Sequence, residues 1–250
     1  MAKISVIMTI YNVENYLKES LKSLRNQTYQ DFEIIIINDG SKDKTVQIVE
    51  EFIKINRDLS ISFFNFQDNK KIPIRANFAI DNAIGEYIAI QDGDDISLPH
   101  RFAAEVDLLD KRKDIFAVGT NAITIDKDGN VIGDMVRPQL HKDIVKKVKS
   151  FTNSIINPSA MFRRKDFYEI GKYTLDKEIY LVQDYELWTR AILKGYLLYN
   201  IQQQLVKYRV NPIGNTKRCQ ACMVKAHRLV WEQFMRESRL TKRNVIITKG

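Results

Sequence analysis

Phe32-Glu33-Ile34-Ile35-Ile36-Ile37-Asn38-Asp39-Gly40-Ser41 runs from an apolar stretch straight into a polar turn. A short apolar run closed by turn residues predicts a buried strand over 32–37 followed by a tight turn at 38–41. The pattern recurs on both sides. Ile4–Ile10 predicts a strand that stops at Tyr11-Asn12, 60–66 a third, and 86–90 a fourth ending in Gln91-Asp92-Gly93-Asp94-Asp95. Helical spacing fills the intervals. Tyr16, Leu17, Leu21 and Leu24 share a face over 15–24, and Asp43 stands at the N-cap position before Val46, Val49, Phe52 and Ile53. Pro73 opens a further helix that Gly85 is expected to close, and 99–112 supplies another.

Strands alternating with amphipathic helices predict an α/β fold with a mostly parallel central sheet flanked by helices. After residue 112 the rhythm changes. Residues 115–125 and 131–132 around Asp128-Gly129-Asn130 predict a β-hairpin, and the rest reads as mixed elements closing over one sheet edge. With no repeat or low-complexity linker, the expectation is one domain over 1–250, divided at about 112 and 212.

Composition narrows the class. At 250 residues, 44% hydrophobic and 28% charged, the chain has enough material for a sizeable core. The longest aliphatic run, Ile34–Ile37, is far short of the roughly 20 apolar residues of a membrane span, and Met-Ala-Lys-Ile-Ser has no signal-peptide core, so a cytoplasmic location is expected. Residues 1–100 carry a net charge of −4 and residues 101–250 a net of +12. Residues 204–250 alone hold 11 basic and 2 acidic side chains, which points to an anionic partner or to a solvated face. The basic clusters lack interleaved aromatic residues, so no nucleic-acid partner is expected. Cys219 and Cys222 have no second Cys or His pair near them and read as incidental thiols; His100, His141 and His227 read as structural or surface groups.

In an open α/β sheet the strand C-termini share one edge, where ligands bind. The turns after strands one, two and four therefore converge. Each alone is ordinary turn chemistry. Asp92, Asp94 and Asp95 place three carboxylates in four residues, a repulsion that solvent or a hard divalent ion relieves. Neither G-x-G-x-x-G nor G-x-x-x-x-G-K-[ST] occurs, which disfavours dinucleotide oxidoreductases and P-loop enzymes. A nucleotide can still be held with Asp39 on a base or ribose donor, Tyr11 against the ring and a metal at Asp94. Asp184 falls near the start of a helix bearing Leu187, Trp188, Ala191 and Ile192, where it either caps the helix or serves as a general base.

Ser5-Val6-Ile7-Met8-Thr9-Ile10-Tyr11-Asn12, Asn38-Asp39-Gly40-Ser41, Ala76-Asn77 with Ala83-Ile84-Gly85-Glu86-Tyr87-Ile88, Asp92-Gly93-Asp94-Asp95, Gln183-Asp184-Tyr185-Glu186-Leu187-Trp188 and Tyr208-Arg209 together resemble the ordered landmarks of glycosyltransferase family 2. The resemblance implies a GT-A fold, a nucleotide-sugar donor, a divalent metal (Mn²⁺ or Mg²⁺) and inversion at the anomeric centre. It places Thr9, Tyr11, Asp39 and Arg75 on the donor's nucleotide, Asp92 and Asp94 as the D-x-D pair with Asp94 the metal ligand, and Asp184 as catalytic base. The acceptor would be a glycan or lipid-linked saccharide, and the basic tail a contact with an anionic membrane surface. The alternative is a non-catalytic nucleotide-sugar or polyanion-binding protein of the same fold. Two positions depart from the family pattern. Gln183 replaces a frequent Glu before the base, and Asn211 stands where Tyr-Arg-x-His has its histidine.

Overall fold

A computed structural model describes residues 2–210 and 220–247. Its elements in chain order are β1 (Ile4–Ile10), α1 (Leu17–Arg25), β2 (Phe32–Asp39), α2 (Thr45–Ile55), β3 (Ser60–Phe66), α3 (Ile72–Asp81), β4 (Tyr87–Ile90), β5 (Ile96–Ser97), α4 (Arg101–Lys111), β6 (Ile115–Ile125), β7 (Val131–Met135), α5 (His141–Lys149), β8 (Met161–Arg163), α6 (Arg164–Ile170), α7 (Gln183–Leu193), β9 (Leu197–Arg209) and α8 (Gln220–Ile247), with 3₁₀ turns at Asn157–Ser159 and Tyr180–Val182. Among the described residues the strands form one sheet in the order β3-β2-β1-β4-β8-β6-β9-β5, with β7 paired to β6.

The first four strands pair in parallel, as the alternation of strands and helices predicts. From β4 onward the sheet is mixed: β8 is antiparallel to both β4 and β6, β6 and β9 are parallel, and β5 runs antiparallel to β9. The later strands thus continue the sheet from β4 instead of closing over its edge, and the fold is α/β with a mixed sheet flanked by helices.

Alternation along each strand sorts the core into two layers. Val6, Met8, Ile34 and Ile36 pack with Leu17, Leu21, Leu24, Val49 and Phe102 on one face. Ile7, Ile35 and Ile37 pack with Ala76, Ala79 and Ile80 on the other, continuous with Phe116, Phe162 and Trp188. Burying apolar surface on both sides, at roughly 25 cal/mol per Å², explains why these strands are almost wholly apolar.

Three local expectations are corrected. β2 continues through Asn38 and Asp39, because both remain in register with β3, so Asp39 is a strand-end residue and not part of the turn. Asp43 lies one position before the N-cap residue Lys44, although its Oδ1 still accepts from the Thr45 N–H at 3.0 Å. Gly85 is not a helix cap. α3 ends at Asp81 with Asn82 as its C-cap, and Gly85 lies against β1, where a Cβ would come within 2.5 Å of the Ser5 nitrogen.

α8 buries Ala226, Val230 and Phe234 against the α7 side of the protein. His227, on the same helix, stacks on Tyr185 with ring centroids 3.8 Å apart, a structural role as expected. Cys222 is disulfide-bonded, which corrects its reading as an incidental thiol; Cys219 and Asn211 lie outside the described residues. Among the described residues no helix is long and apolar enough to cross a membrane.

Candidate active site

In the order β3-β2-β1-β4 successive strands are added first to one side of β1 and then to the other, and such a switch point opens a crevice at the C-terminal ends of the strands. Thr9 stands opposite Ile37 at the end of β1, and alternation puts Thr9 and Asp39 on the face covered by α3. Tyr11, just past β1, is 39% exposed at the rim.

Asp39 is buried and heavily engaged. Its Oδ1 accepts from the Lys70 N–H at 2.8 Å and from Arg75 Nε at 2.7 Å, and its Oδ2 from the Lys71 N–H at 3.0 Å. Arg75 also donates from Nη2 to the Asp68 side chain at 2.7 Å and lies 3.7 Å over the Phe66 ring. A carboxylate offers about four acceptor positions, so three donors leave room for one more. Gly40, at φ +80°, makes the turn after β2, and a Cβ there would meet Asp68 main-chain atoms at 2.9 Å.

The two loops beside this pocket brace each other. The Asn12 N–H donates to Ser41 Oγ at 2.9 Å, and the Lys42 N–H donates back to Asn12 Oδ1 at 2.8 Å. Asn12, at φ 50°, is one of the residue types that tolerate the left-handed region.

The acidic turn leaves the sheet next to β1, because the Gln91 N–H bonds the Ile7 carbonyl at 3.0 Å. Its main chain is held from below. Gln91 Nε2 donates to the carbonyls of Asp92 and Asp95, while Arg101, fully buried, donates to Gln91 Oε1, Ser97 Oγ and the Ile90 carbonyl. Arg209 holds it from above. Its N–H bonds Asp95 Oδ1 at 2.7 Å, its Nε bonds the Asp94 carbonyl at 2.9 Å, and its Nη2 reaches Glu19 at 2.7 Å.

α7 brings in Asp184 as its second residue. The N–H groups of Asp184 and Tyr185 and a 2.9 Å bond from Asn153 Nδ2 favour the charged carboxylate, but burial outweighs them and pushes its pKa up. Asp92 is raised to about 7, chiefly by burial and then by the charges of Asp94 and Asp184. Asp95 goes up as well, through burial and its two aspartate neighbours, with Arg209 opposing. Burial also raises the Tyr173 phenol, which feels both Asp184 and Asp92 and therefore stands near the two. Asn77 pins the Tyr173 main chain, donating to its carbonyl at 2.9 Å and accepting from its N–H at 3.1 Å.

Thr9, Asp39 and Arg75 thus gather at the β1–β2 end, and Asp92, Asp94 and Asp184 gather beside β4. Asn153, Tyr173 and the clamping role of Arg209 were not legible in the sequence. Asn153 and Tyr173 lie in loops with no motif of their own, and only the Asn77 landmark hinted at the second. Among the described residues no group of three or more His, Cys, Asp and Glu side chains is set out to hold a metal. Two aspartates suit a hard ion whose other ligands are water and phosphate, and the charges of Asp94 and Asp184, which add to burial in raising Asp92, are ones a divalent cation relieves.

A family model described as Glycosyl transferase family 2 matches residues 5–171. Putative glycosyltransferase EpsE of Bacillus subtilis is 33% identical over 208 residues, covering 83% of this chain and 73% of EpsE. O-antigen biosynthesis glycosyltransferase WbnJ of Escherichia coli is 27% identical, covering 83% and 80%. Among solved structures, S. aureus TarS in complex with UDP-GlcNAc superposes with a TM-score of 0.70 at 19% identity, over 86% of this chain and 61% of that one. The mannosyltransferase PcManGT from Pyrobaculum calidifontis, in complex with GDP-Man and Mn²⁺, superposes with a TM-score of 0.67 at 18% identity, over 90% and 62%. The chain therefore spans less than two thirds of these solved proteins, and at such identity they show the fold alone. From the sheet with its switch-point crevice, the matching family model and the EpsE similarity, it follows that the chain belongs to glycosyl transferase family 2 and has the GT-A fold.

Proposed function

We propose that this glycosyltransferase moves a hexose from a UDP-sugar to a hydroxyl of a glycan or lipid-linked acceptor in surface polysaccharide assembly, with inversion at the anomeric carbon. The observation that carries this reading is Asp184, a half-buried carboxylate at the N-terminus of α7 that Asn153 holds at 2.9 Å and whose charge reaches Asp92 at the C-terminal edge of the sheet. Asp184 takes the proton of the acceptor hydroxyl as that oxygen attacks the anomeric carbon. The bond to the diphosphate breaks on the opposite face, and the electron pair leaves with the phosphate. A pKa raised by burial brings the base closer to working pH, and general-base catalysis of this kind is worth about 10²–10⁴-fold. Attack on one face with no second nucleophilic carboxylate gives inversion.

On this reading Thr9, Tyr11, Asp39 and Arg75 line the nucleotide, with the remaining acceptor position of Asp39 turned to the base. Asp94 and Asp92 would hold a Mn²⁺ or Mg²⁺ ion, which supplies charge neutralisation for the leaving diphosphate when bound. Residues 1–112 form the donor half and 113–212 the acceptor half. The UDP-GlcNAc bound to TarS supports a UDP-sugar donor, and the Mn²⁺ bound to PcManGT supports the metal. The O-antigen biosynthesis named for WbnJ supports a transfer in polysaccharide assembly. On the outward side of α8, Lys225, Arg228, Arg236 and Arg239 with Val224 and Leu229 are exposed and suit a peripheral contact with anionic lipid at the cytoplasmic face.

Isothermal titration with UDP, GDP, CDP and dTDP, each with and without Mn²⁺, tests the donor half; metal-dependent binding of UDP alone is expected, and binding of none overturns it. Asp184→Asn tests the base. Turnover should disappear with UDP affinity retained, whereas near-normal turnover would remove Asp184 from the role.

A further inference from the structure

α5 ends in a Schellman turn: the Phe151 N–H bonds the Val148 carbonyl and the Thr152 N–H bonds the Lys147 carbonyl, both at 3.1 Å. Glycine is the usual residue at the left-handed position of that turn, yet the position here holds Phe151, at φ 63°. An aromatic residue in this region is strained, and such strain persists only where the surroundings over-determine it. α8 supplies those surroundings. The Phe151 ring stands edge-on to His227, with centroids 4.3 Å apart and planes at 88°, and edge-on to Trp231, at 5.9 Å and 85°. Trp231 also donates from Nε1 to the carbonyl of Lys149, the last residue of α5, at 3.0 Å.

The segment held in this way leads directly to Asp184. Two residues after Phe151, Asn153 donates from Nδ2 to Asp184 Oδ2 at 2.9 Å, while its Oδ1 accepts from the Ile155 N–H at 3.3 Å and so fixes the direction of the amide. A second route runs through α7. His227 lies flat on Tyr185, with planes at 20°, and Tyr185 follows Asp184 in the chain and donates from its hydroxyl to the Val148 carbonyl at 3.4 Å. His227 and Trp231 stand one turn apart on α8 and share an edge of it. That edge therefore touches both the helix residue next to Asp184 and the loop whose amide Asp184 accepts. Burial lowers the His227 pKa, so at neutral pH the ring is uncharged and supplies packing.

We infer that His227 and Trp231 are positioning residues for Asp184, acting through Tyr185 and through Phe151, so that the docking of α8 sets the carboxylate that takes the acceptor proton. This deepens the functional reading above and rests on its assignment of Asp184 as the base. A helix that merely covered the core would need Ala226, Val230 and Phe234 and would leave the α5 turn to glycine. The aromatic side chain at the strained position gives α8 a grip on the 150–153 segment that glycine lacks.

The test reads the Asp184 carboxyl itself. In the full chain labelled with ¹³C at the aspartate Cγ, the carboxyl signal is followed against pH, and Asp184→Asn identifies it by its loss. Asn153→Ala should raise the midpoint by about one pH unit, since it removes a hydrogen bond to the charged form. Phe151→Gly, His227→Ala and Trp231→Ala should each raise it by at least half as much. Phe151→Tyr and His227→Phe keep a ring in place and should hold the wild-type midpoint. Phe151→Gly installs the residue the turn prefers and leaves α8 and the core untouched, so its result stands even where an α8 variant unfolds. An unmoved midpoint in Phe151→Gly, or a midpoint that His227→Phe shifts as far as His227→Ala does, overturns the inference. Turnover of Asp184→Asn reports on the base separately: near-normal turnover beside these shifts would remove the base reading and leave the coupling of α8 to Asp184 standing.

Discussion

Asn153 donates a 2.9 Å hydrogen bond from Nδ2 to Oδ2 of Asp184, and it comes from a loop, not from the helix that carries the base. The bond favours the charged carboxylate against the burial that disfavours it. Asn153→Ala removes that support, so the Asp184 pKa rises further. The acid limb of the rate–pH profile should move to higher pH, and turnover at neutral pH should fall about tenfold, the worth of one hydrogen bond to a charged group. An unmoved acid limb would mean that Asp184 is not the group that titrates in turnover.

Arg209 should prove a positioning residue for the acidic turn. Its fork and main chain reach Asp94, Asp95 and Glu19, and its Nη1 also bonds the Asp126 carbonyl. Lysine keeps the charge but loses the fork. Arg209→Lys is expected to weaken Mn²⁺-dependent UDP binding about tenfold or more, with one such charge-assisted bond worth about 1.5–3 kcal/mol. Glu19, by contrast, is 58% exposed, so Glu19→Gln should cost less than about 1 kcal/mol in chemical unfolding and leave UDP binding nearly intact.

These two cases show where the sequence speaks and where it stops. The parallel half was legible because Ile4–Ile10 and Ile34–Ile37 are too apolar to be anything but doubly covered strands, and the turns after them follow from sheet geometry. Asp92, Asp94 and Asp184 were legible as candidates because their neighbours set them at a strand end and a helix start. Gly85 misled: the helix it was expected to cap ends at Asp81, and the absence of a Cβ serves a close approach to Ser5 across the chain. Asn153 and Arg209 act through contacts 31 and 190 residues away, and local periodicity carries no trace of either.

Asp39 offers a sharper test of the nucleotide pocket than its position alone suggests. With Lys70, Lys71 and Arg75 all donating to its carboxylate, an amide at this position must turn an NH₂ group toward at least one donor. Asp39→Asn should therefore lose UDP binding and also destabilise the protein by about 1–3 kcal/mol, the cost of leaving a buried donor unsatisfied. UDP affinity and the urea midpoint should fall together. An unchanged UDP affinity in a destabilised variant would limit Asp39 to bracing the 68–72 segment.

Glu105 sets a pH dependence that can be separated from the site. It is fully buried, bonded by Arg101 Nε at 3.2 Å, and its Oε2 has no partner. Burial raises its pKa from 4.5 to about 7 despite the arginine. A carboxylate with a raised native pKa binds its proton more tightly in the folded state, so its stabilising contribution is complete below about pH 4.5 and is lost as pH rises to about 7. The span corresponds to roughly 3 kcal/mol at 1.36 kcal/mol per unit. Asp92, Asp95 and Asp184 are shifted in the same direction, so their contributions also fall as pH rises, while burial lowers His141 and His227 and makes theirs rise. Glu105→Gln cannot titrate and removes one contribution only. Arg101 keeps Gln91, Ser97 and the Ile90 carbonyl as acceptors, so the acidic turn stays braced in that variant. Urea midpoints measured from pH 5 to 8 should therefore decline less steeply in Glu105→Gln than in wild type, the two curves drawing together or crossing as pH rises. Curves that remain parallel would mean that Glu105 is already ionised at pH 5, held by Arg101 more strongly than burial opposes it.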